Sequence, residues 1–328
     1  MKNTPFIAVT SQPVPYHADT TTIFNTLCQQ NSNSLLLDSA EIGSKNSLQS
    51  LILINAAVKI TCLGNQVTFR ALNANGKQVL KEIHPVLSQL GTVSAVNFDN
   101  EFSVQFAPLD NQLDEDSKLQ AATIFDGLRV ISNHYQHSST PVFLGGLFAY
   151  DLVANFIPMQ GVELKDDGIH CPDYSFYLAE NLITIDHQSQ QATLKSFCFS
   201  QEEQVEVAKT ALSIAQKLKN IDGVLSIKVA SDEVSTNFED PEFIGIVKAL
   251  KHHINIGDVF QIVPSRRFSL ACPNTLASYA QLKHNNPSPY MFYMNDEDFI
   301  LFGASPESAL KYACLLYTSP SPRDRSVS

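Results

Sequence analysis

The spacing of hydrophobic positions along this chain changes several times, and each change marks an element. Asp19 stands ahead of Ile23, Phe24 and Leu27 as the cap of a helix, and the apolar run Leu35 to Leu37 follows as a strand before the polar Asp38-Ser39-Ala40-Glu41. Leu51 to Leu63 and Gln66 to Leu72 read as strands around a Gly64-Asn65 turn, and Asn75-Gly76 reads as another tight turn. This meander chemistry predicts antiparallel pairing. Leu80, Ile83, Leu87 and Leu90 predict a helix broken at Pro85, and Val96 to Phe106 predicts two short strands. Asp116 to Tyr135 predicts one amphipathic helix on Leu119, Ile124, Leu128 and Ile131. Val142 to Asp151 is apolar around Gly145-Gly146. No Lys-Ser/Thr follows the two glycines, so close backbone packing is expected there and not a phosphate loop. Tyr174 to Asp186 and Ala192 to Phe199 flank the polar turn His187 to Gln190 as a hairpin. Glu202 to Leu218 is then a helix expected to turn Val205, Ala208, Leu212 and Ala215 inward.

The polar stretch Ser231 to Asn237 reads as a linker into a second unit. Its first helix has Asp240 as cap, Pro241 at the first helical position, Phe243, Ile244, Val247 and Leu250 on one face, and Gly257 just past the end. The adjacent His252 and His253 point about 100° apart on that helix, which excludes an i, i+4 metal pair. Gly257 to Phe268, GDVFQIVPSRRF, reads as a strand carrying Val259, Gln261, Val263, Ser265 and Arg267 on one face. Pro264 offers no N–H and so implies an edge position or a bulge, which leaves open whether Arg266 or Arg267 faces a ligand. A helix from Thr275 to His284 leads to Asn286-Pro-Ser-Pro-Tyr-Met-Phe-Tyr293, where two prolines stiffen a loop suited to lining a ligand. A strand from Phe299 to Ala304 ends at Ser305-Pro306-Glu307.

Composition narrows the function classes. With 44% hydrophobic and 17% charged residues, the 328-residue chain is globular and long enough for a large core or two domains. Twenty-two Lys+Arg against 33 Asp+Glu give a net charge of -11, which argues against non-specific nucleic-acid binding but leaves room for a small anionic substrate in a local positive pocket. No apolar run reaches the roughly 20 residues of a membrane span, and the proline-broken MKNTPFIAVTSQPVP is unlike a signal peptide. A cytoplasmic protein without membrane partners is expected. The six cysteines are scattered with no metal-ligand spacing, so reduced, structurally neutral thiols and no metal site are expected from them.

LLLDSAE, FLGGLFAYD, GDVFQIVPSRRF, NPSPYMFYM and LFGASPES, in this order, resemble component I of anthranilate synthase, in the chorismate-utilising enzyme family, from about Asp19 to Tyr312. The resemblance implies an α+β fold in which two antiparallel β-sheets pack face to face with flanking helices. It divides the chain into an N-terminal domain (1–235), the first part of a chorismate-binding domain (236–313) and a Ser-, Pro- and Arg-rich tail (314–328) unlike the family. It further implies amination of chorismate by ammonia with loss of pyruvate to give anthranilate, for tryptophan biosynthesis, with Mg2+ holding the ring carboxylate and ammonia drawn from glutamine by a partner amidotransferase subunit. Gln261 stands where related isochorismate synthases carry a lysine base, and a neutral amide suits ammonia, which needs no deprotonation. L-tryptophan, as feedback inhibitor, would lie between Ser39 and the loop Pro289, Tyr290 and Met291. Asp38 stands there where glutamate is usual, and Gln49 where some members have lysine. Because the family's magnesium ligands and elimination histidine fall beyond Tyr312, the chain alone is expected to lack activity. Two other classes share these features: component I of aminodeoxychorismate synthase, which NPSPYMFYM and LLLDSAE disfavour, and a non-catalytic tryptophan-binding fragment.

Overall fold

A computed structural model describes residues 5–28, 31–39, 48–97, 100–110, 112–138, 140–157, 171–221, 233–307, 311–313 and 316–318. The chain divides into a larger unit, Met1–Val224 with Leu282–Ser328, and a smaller one, Leu225–Gln281. The larger unit begins with β1 (Ala8–Val14), α1 (Thr20–Cys28) and β2 (Ser34–Asp38). Asp19 caps α1 by accepting the Thr21 N–H at 3.0 Å. There follow β3 (Gln49–Leu63), β4 (Gln66–Ala71), α2 (Ala74–Leu87), β5 (Thr92–Asn97), β6 (Glu101–Gln105), α3 (Glu115–Gln120), α4 (Asp126–His134) and β7 (Leu144–Phe148). A 3-10 turn (Tyr150–Asn155) precedes β8 (Tyr174–Asp186), β9 (Gln191–Cys198) and α5 (Gln204–Lys219). The smaller unit holds β10 (Ser235–Thr236), α6 (Asp240–Asn255), β11 (Phe268–Ser269) and the start of α7 (Thr275–Asn285). The chain then returns to the larger unit as β12 (Tyr290–Asn295), β13 (Ile300–Ser305), β14 (Lys311–Ala313) and β15 (Leu316–Thr318).

The fold is α+β, and eleven strands of the larger unit form one antiparallel sheet. Two long strands organise it. β3 and β8 pair along their whole length, with register shifts between Leu53 and Val58 around Asn55. Such bulges bend a sheet. On one side of the bulge the order runs β1-β9-β8-β3-β2-β12-β13, and on the other β7 adds to β8 while β4, β6 and β5 extend from β3. The core contains Val58, Ile60, Val67 and Phe69 from the strands and Val79, Leu80, Ile83 and Leu87 from α2. At about 1.5 to 3 kcal/mol for each buried large side chain, this cluster dominates the local energetics.

That magnitude explains where the expected elements differ from the observed ones. Helix α2 continues through Pro85 to Leu87, because the burial of its four core side chains outweighs the roughly 3 kcal/mol that an internal proline costs. Asn75-Gly76 is the first turn of α2 and not a hairpin turn. Asn73 is the cap, accepting the Gly76 N–H at 2.8 Å, and Gly76 is small because a Cβ there would lie 1.9 Å from the Ala57 carbonyl. The single helix expected over 116–135 is two, α3 and α4, with the Thr123 N–H between them bonded to the Asp126 carboxylate at 2.7 Å. α5 buries Val207, Ala211, Ile214 and Leu218, leaving Val205 64% and Leu212 58% exposed. Both stripes fit a helical period, and the one with three large side chains is the one buried. Gly145-Gly146 lies in β7, where a Cβ on Gly146 would sit 2.1 Å from the Ser175 carbonyl. In the smaller unit, GDVFQIVPSRRF is paired only at Phe268, in the two-residue ribbon β10–β11, so its alternation finds no sheet among the described residues.

Candidate functional site

β2 is a short apolar strand that ends in a carboxylate, and β12 follows directly from the stiff Pro287-Ser288-Pro289. The two pair antiparallel, with Leu35 opposite Met294, Leu36 opposite Tyr293 and Asp38 opposite Met291. The ladder ends at Asp38 and Met291, with Ser39 the next residue after one strand and Tyr290 the residue before Met291 in the other. Ser39, Pro289, Tyr290 and Met291 therefore meet at one end of the β2–β12 pair, although about 250 residues of sequence separate the two strands. Met291 is buried, Ser39 and Pro289 are half-buried and Tyr290 is exposed.

Asp38 sits at the centre of a polar cluster there. Its side chain is only 1% exposed, and its oxygens accept from Thr20 Oγ1 at 2.7 Å, from Ser50 Oγ at 2.5 Å and from the Lys283 ammonium near the end of α7. Lys283 also donates to Thr20 at 2.9 Å, and its side chain keeps 24% exposure. Burial pushes the Asp38 carboxyl up, but the Lys283 charge and the hydrogen bonds from Lys283, Ser50 and Thr20 outweigh it and hold the group below the usual carboxylate range. Behind Ser50 stands His187, with Nε2 2.9 Å from Ser50 Oγ and Nδ1 3.2 Å from the Tyr16 hydroxyl. Ser50 has one proton, and it goes to the acceptor-only carboxylate. His187 Nε2 must then carry a hydrogen and donate, leaving Nδ1 to accept from Tyr16. Burial lowers the His187 pKa, against the pull of Asp38, which keeps the imidazole neutral.

A second buried ion pair lies at the other end of β12. Lys59 Nζ is 2.7 Å from Asp296, which also accepts from the Tyr177 hydroxyl. Burial raises the Asp296 carboxyl, and the bonds from Lys59 and Tyr177 bring it below its ordinary value.

The other expected positions lie elsewhere. Gln49 is exposed at the start of β3, paired with Asp186. Gln261 belongs to the smaller unit and is exposed on the unpaired segment. The Arg266 guanidinium is engaged within that unit, donating to Thr236 at 3.1 Å and Asp240 at 2.6 Å and lying 4.8 Å from the Phe268 ring. Among the described residues no group of three or more His, Cys, Asp or Glu side chains could hold a metal ion. Residues 314, 315 and 319–328 of the expected tail lie outside the described residues.

Sequence reasoning missed Thr20, Ser50, His187 and Lys283. One signal was available: an aspartate closing a run of three leucines in a buried strand requires a cation. Only the fold identifies it as Lys283, 245 positions away.

This antiparallel α+β sheet, with a polar site at a junction of distant strands, belongs to a known class. The family described as chorismate binding enzyme matches residues 81–314, and the chain belongs to that family. The chain is 87% identical over 308 residues to anthranilate synthase component 1 of Haemophilus influenzae, covering 94% of this chain and 60% of that protein. It is 45% identical over 322 residues to anthranilate synthase component 1 of Vibrio cholerae, covering 95% and 60%. The chain thus spans about three-fifths of the length of these relatives. The crystal structure of anthranilate synthase component I from Streptococcus pneumoniae shares the fold, with a TM-score of 0.51 at 19% identity over 82% of this chain and 53% of that one. No helix among the described residues is long and apolar enough to cross a membrane.

Proposed function

We propose that this chain belongs to the large subunit of an anthranilate synthase, acting in the cytoplasm on chorismate and ammonia to form anthranilate and pyruvate for tryptophan biosynthesis. A glutamine amidotransferase subunit supplies the ammonia, and L-tryptophan inhibits. The observation that carries the reading is 87% identity across 94% of the chain to a component 1 protein. In this reading Gln261 orients the nitrogen nucleophile without removing a proton from it, since ammonia attacks as it stands. Tryptophan binds at the end of the β2–β12 pair, with Ser39 hydrogen-bonding its head group and Pro289, Tyr290 and Met291 meeting the indole. The adjacency of Asp38 and Met291 in the sheet supports that assignment.

The test is a chimera in which the matched residues of this chain replace those of the Haemophilus protein. Ammonium-dependent anthranilate fluorescence from chorismate is expected, inhibited by tryptophan, with Ser39→Phe and Met291→Thr losing inhibition and Gln261→Lys losing amination. A folded chimera that forms no anthranilate would overturn the activity. Unchanged inhibition in both site variants would move the tryptophan site elsewhere.

A further inference from the structure

The end of the β2–β12 pair already contains the two charges that an amino-acid head group needs, bonded to each other. Asp38 is fixed, its oxygens held by Ser50 and Thr20 in a nearly solvent-free position. Lys283 is the movable partner, a four-carbon stem whose side chain keeps 24% exposure and so has a route to solvent. A free α-amino acid carries an ammonium and a carboxylate on one carbon, which is the same charge pair in the complementary order.

We propose that an α-amino-acid zwitterion binds by inserting into the Asp38–Lys283 ion pair, its ammonium replacing the lysine on Asp38 and Thr20 while its carboxylate takes up the displaced Lys283 ammonium. Lys283 is then the residue that selects the free amino acid over analogues lacking either charged group. The inference rests on the reading of Ser39 to Met291 as a tryptophan site and adds to it the receptor for the carboxylate. Insertion leaves the net charge of the site unchanged, and every buried charge keeps an opposite partner throughout. This matters because an unpartnered buried carboxylate is strongly destabilising. The arrangement also explains how Asp38, saturated in the ligand-free protein, can still receive an ammonium: the lysine that fills it is a stand-in for the ligand.

The experiment measures binding of L-tryptophan, tryptamine (no carboxylate) and indole-3-propionate (no ammonium) to the 328-residue chain. The chain contains no tryptophan, so indole emission reports the ligand alone. The wild type should prefer tryptophan over each analogue by on the order of tenfold, the scale of one charge-assisted hydrogen bond. Lys283→Met should erase the preference over tryptamine and keep that over indole-3-propionate, and Asp38→Asn should do the reverse. Lys283→Arg should restore the first preference. If a single variant fails to fold, the double variant Asp38→Asn/Lys283→Met, which leaves no charge unpaired, should lose both preferences. Tryptophan binding with the same preferences in wild type and folded Lys283→Met would overturn the insertion and leave the site reading standing. Absence of binding of all three probes to the folded wild type would overturn the site reading and the insertion with it.

Discussion

α2 in the larger unit and α6 in the smaller one are both amphipathic, with 14 and 16 residues, though only α2 has a side-chain cap bond: Asp240, expected to cap α6, is its first residue, and Glu239 before it makes no such bond. α2 buries Val79, Leu80, Ile83 and Leu87, whereas α6 buries no residue. The segment after α6 continues the contrast, with Phe260 86% and Val263 78% exposed, while β3 and β8 are buried along most of their length. Hydrophobic period fixes what an element is. How much it buries depends on whether strands are present to receive it, and β3 and β4 provide them for α2.

Ion pairs show the contrast most strongly. Asp296→Asn leaves the buried Lys59 ammonium with only the exposed Asp298 carboxylate, 3.8 Å away, as counter-charge and should cost on the order of 3 kcal/mol in urea denaturation followed by circular dichroism. In the smaller unit, His253 and Asp258 are paired at 2.8 Å but are about half exposed, and Asp258→Asn should cost less than about 1 kcal/mol. Equal losses for the two variants would remove the distinction between the units.

Glycines sharpen the comparison, because the same substitution should change sign. Alanine is favoured over glycine inside a helix by about 1 kcal/mol. At Gly245 in α6 a Cβ meets nothing within 4 Å, so Gly245→Ala should stabilise by up to that amount. At Gly76 in α2 the Cβ would lie 1.9 Å from a backbone carbonyl, and an overpacking penalty of about 1 to 3 kcal/mol should win. Thermal melts of the two variants should shift in opposite directions.

Acid should act on the larger unit in two windows. His187 has a folded pKa below its ordinary 6.5, so the unfolded chain binds the extra proton first and stability falls as pH drops from about 6.5 toward the folded value. His187→Asn should flatten that slope in a pH series of melts. Asp38 and Asp296 have folded values below 3.8, so the stability from their ion pairs is present above that pH and is lost as pH falls through the lowered values. A melting temperature independent of pH from 7 to 5, a window about the ordinary histidine pKa, would contradict the neutral His187 assigned here.

The strands of the larger unit were legible because turn chemistry brackets them: Gly64-Asn65 and His187 to Gln190 stand where the hairpins turn. The buried face of α5 was not, since Val205/Leu212 and Val207/Ile214/Leu218 both keep helical period and only packing chooses between them. Pro85 and Asn75-Gly76 misled for the same reason, as local rules gave way to burial against the sheet. Of the candidate site, the prolines marked the Pro289 to Met291 loop as suited to a ligand, whereas Asp38 and Ser39 were marked only by the family resemblance. Their meeting, and the arrival of Lys283, Thr20 and Ser50 at the carboxylate, follow from the antiparallel pairing of β2 and β12, which no local pattern encodes.

Amide hydrogen exchange with and without L-tryptophan tests most directly whether the functional site lies at that junction. Protection should rise in residues 34–39 and 287–294 together, the two segments joined by the sheet, while 240–268 in the smaller unit exchanges as before. Added protection confined to 240–268, or none in either paired segment while tryptophan is bound, would contradict it.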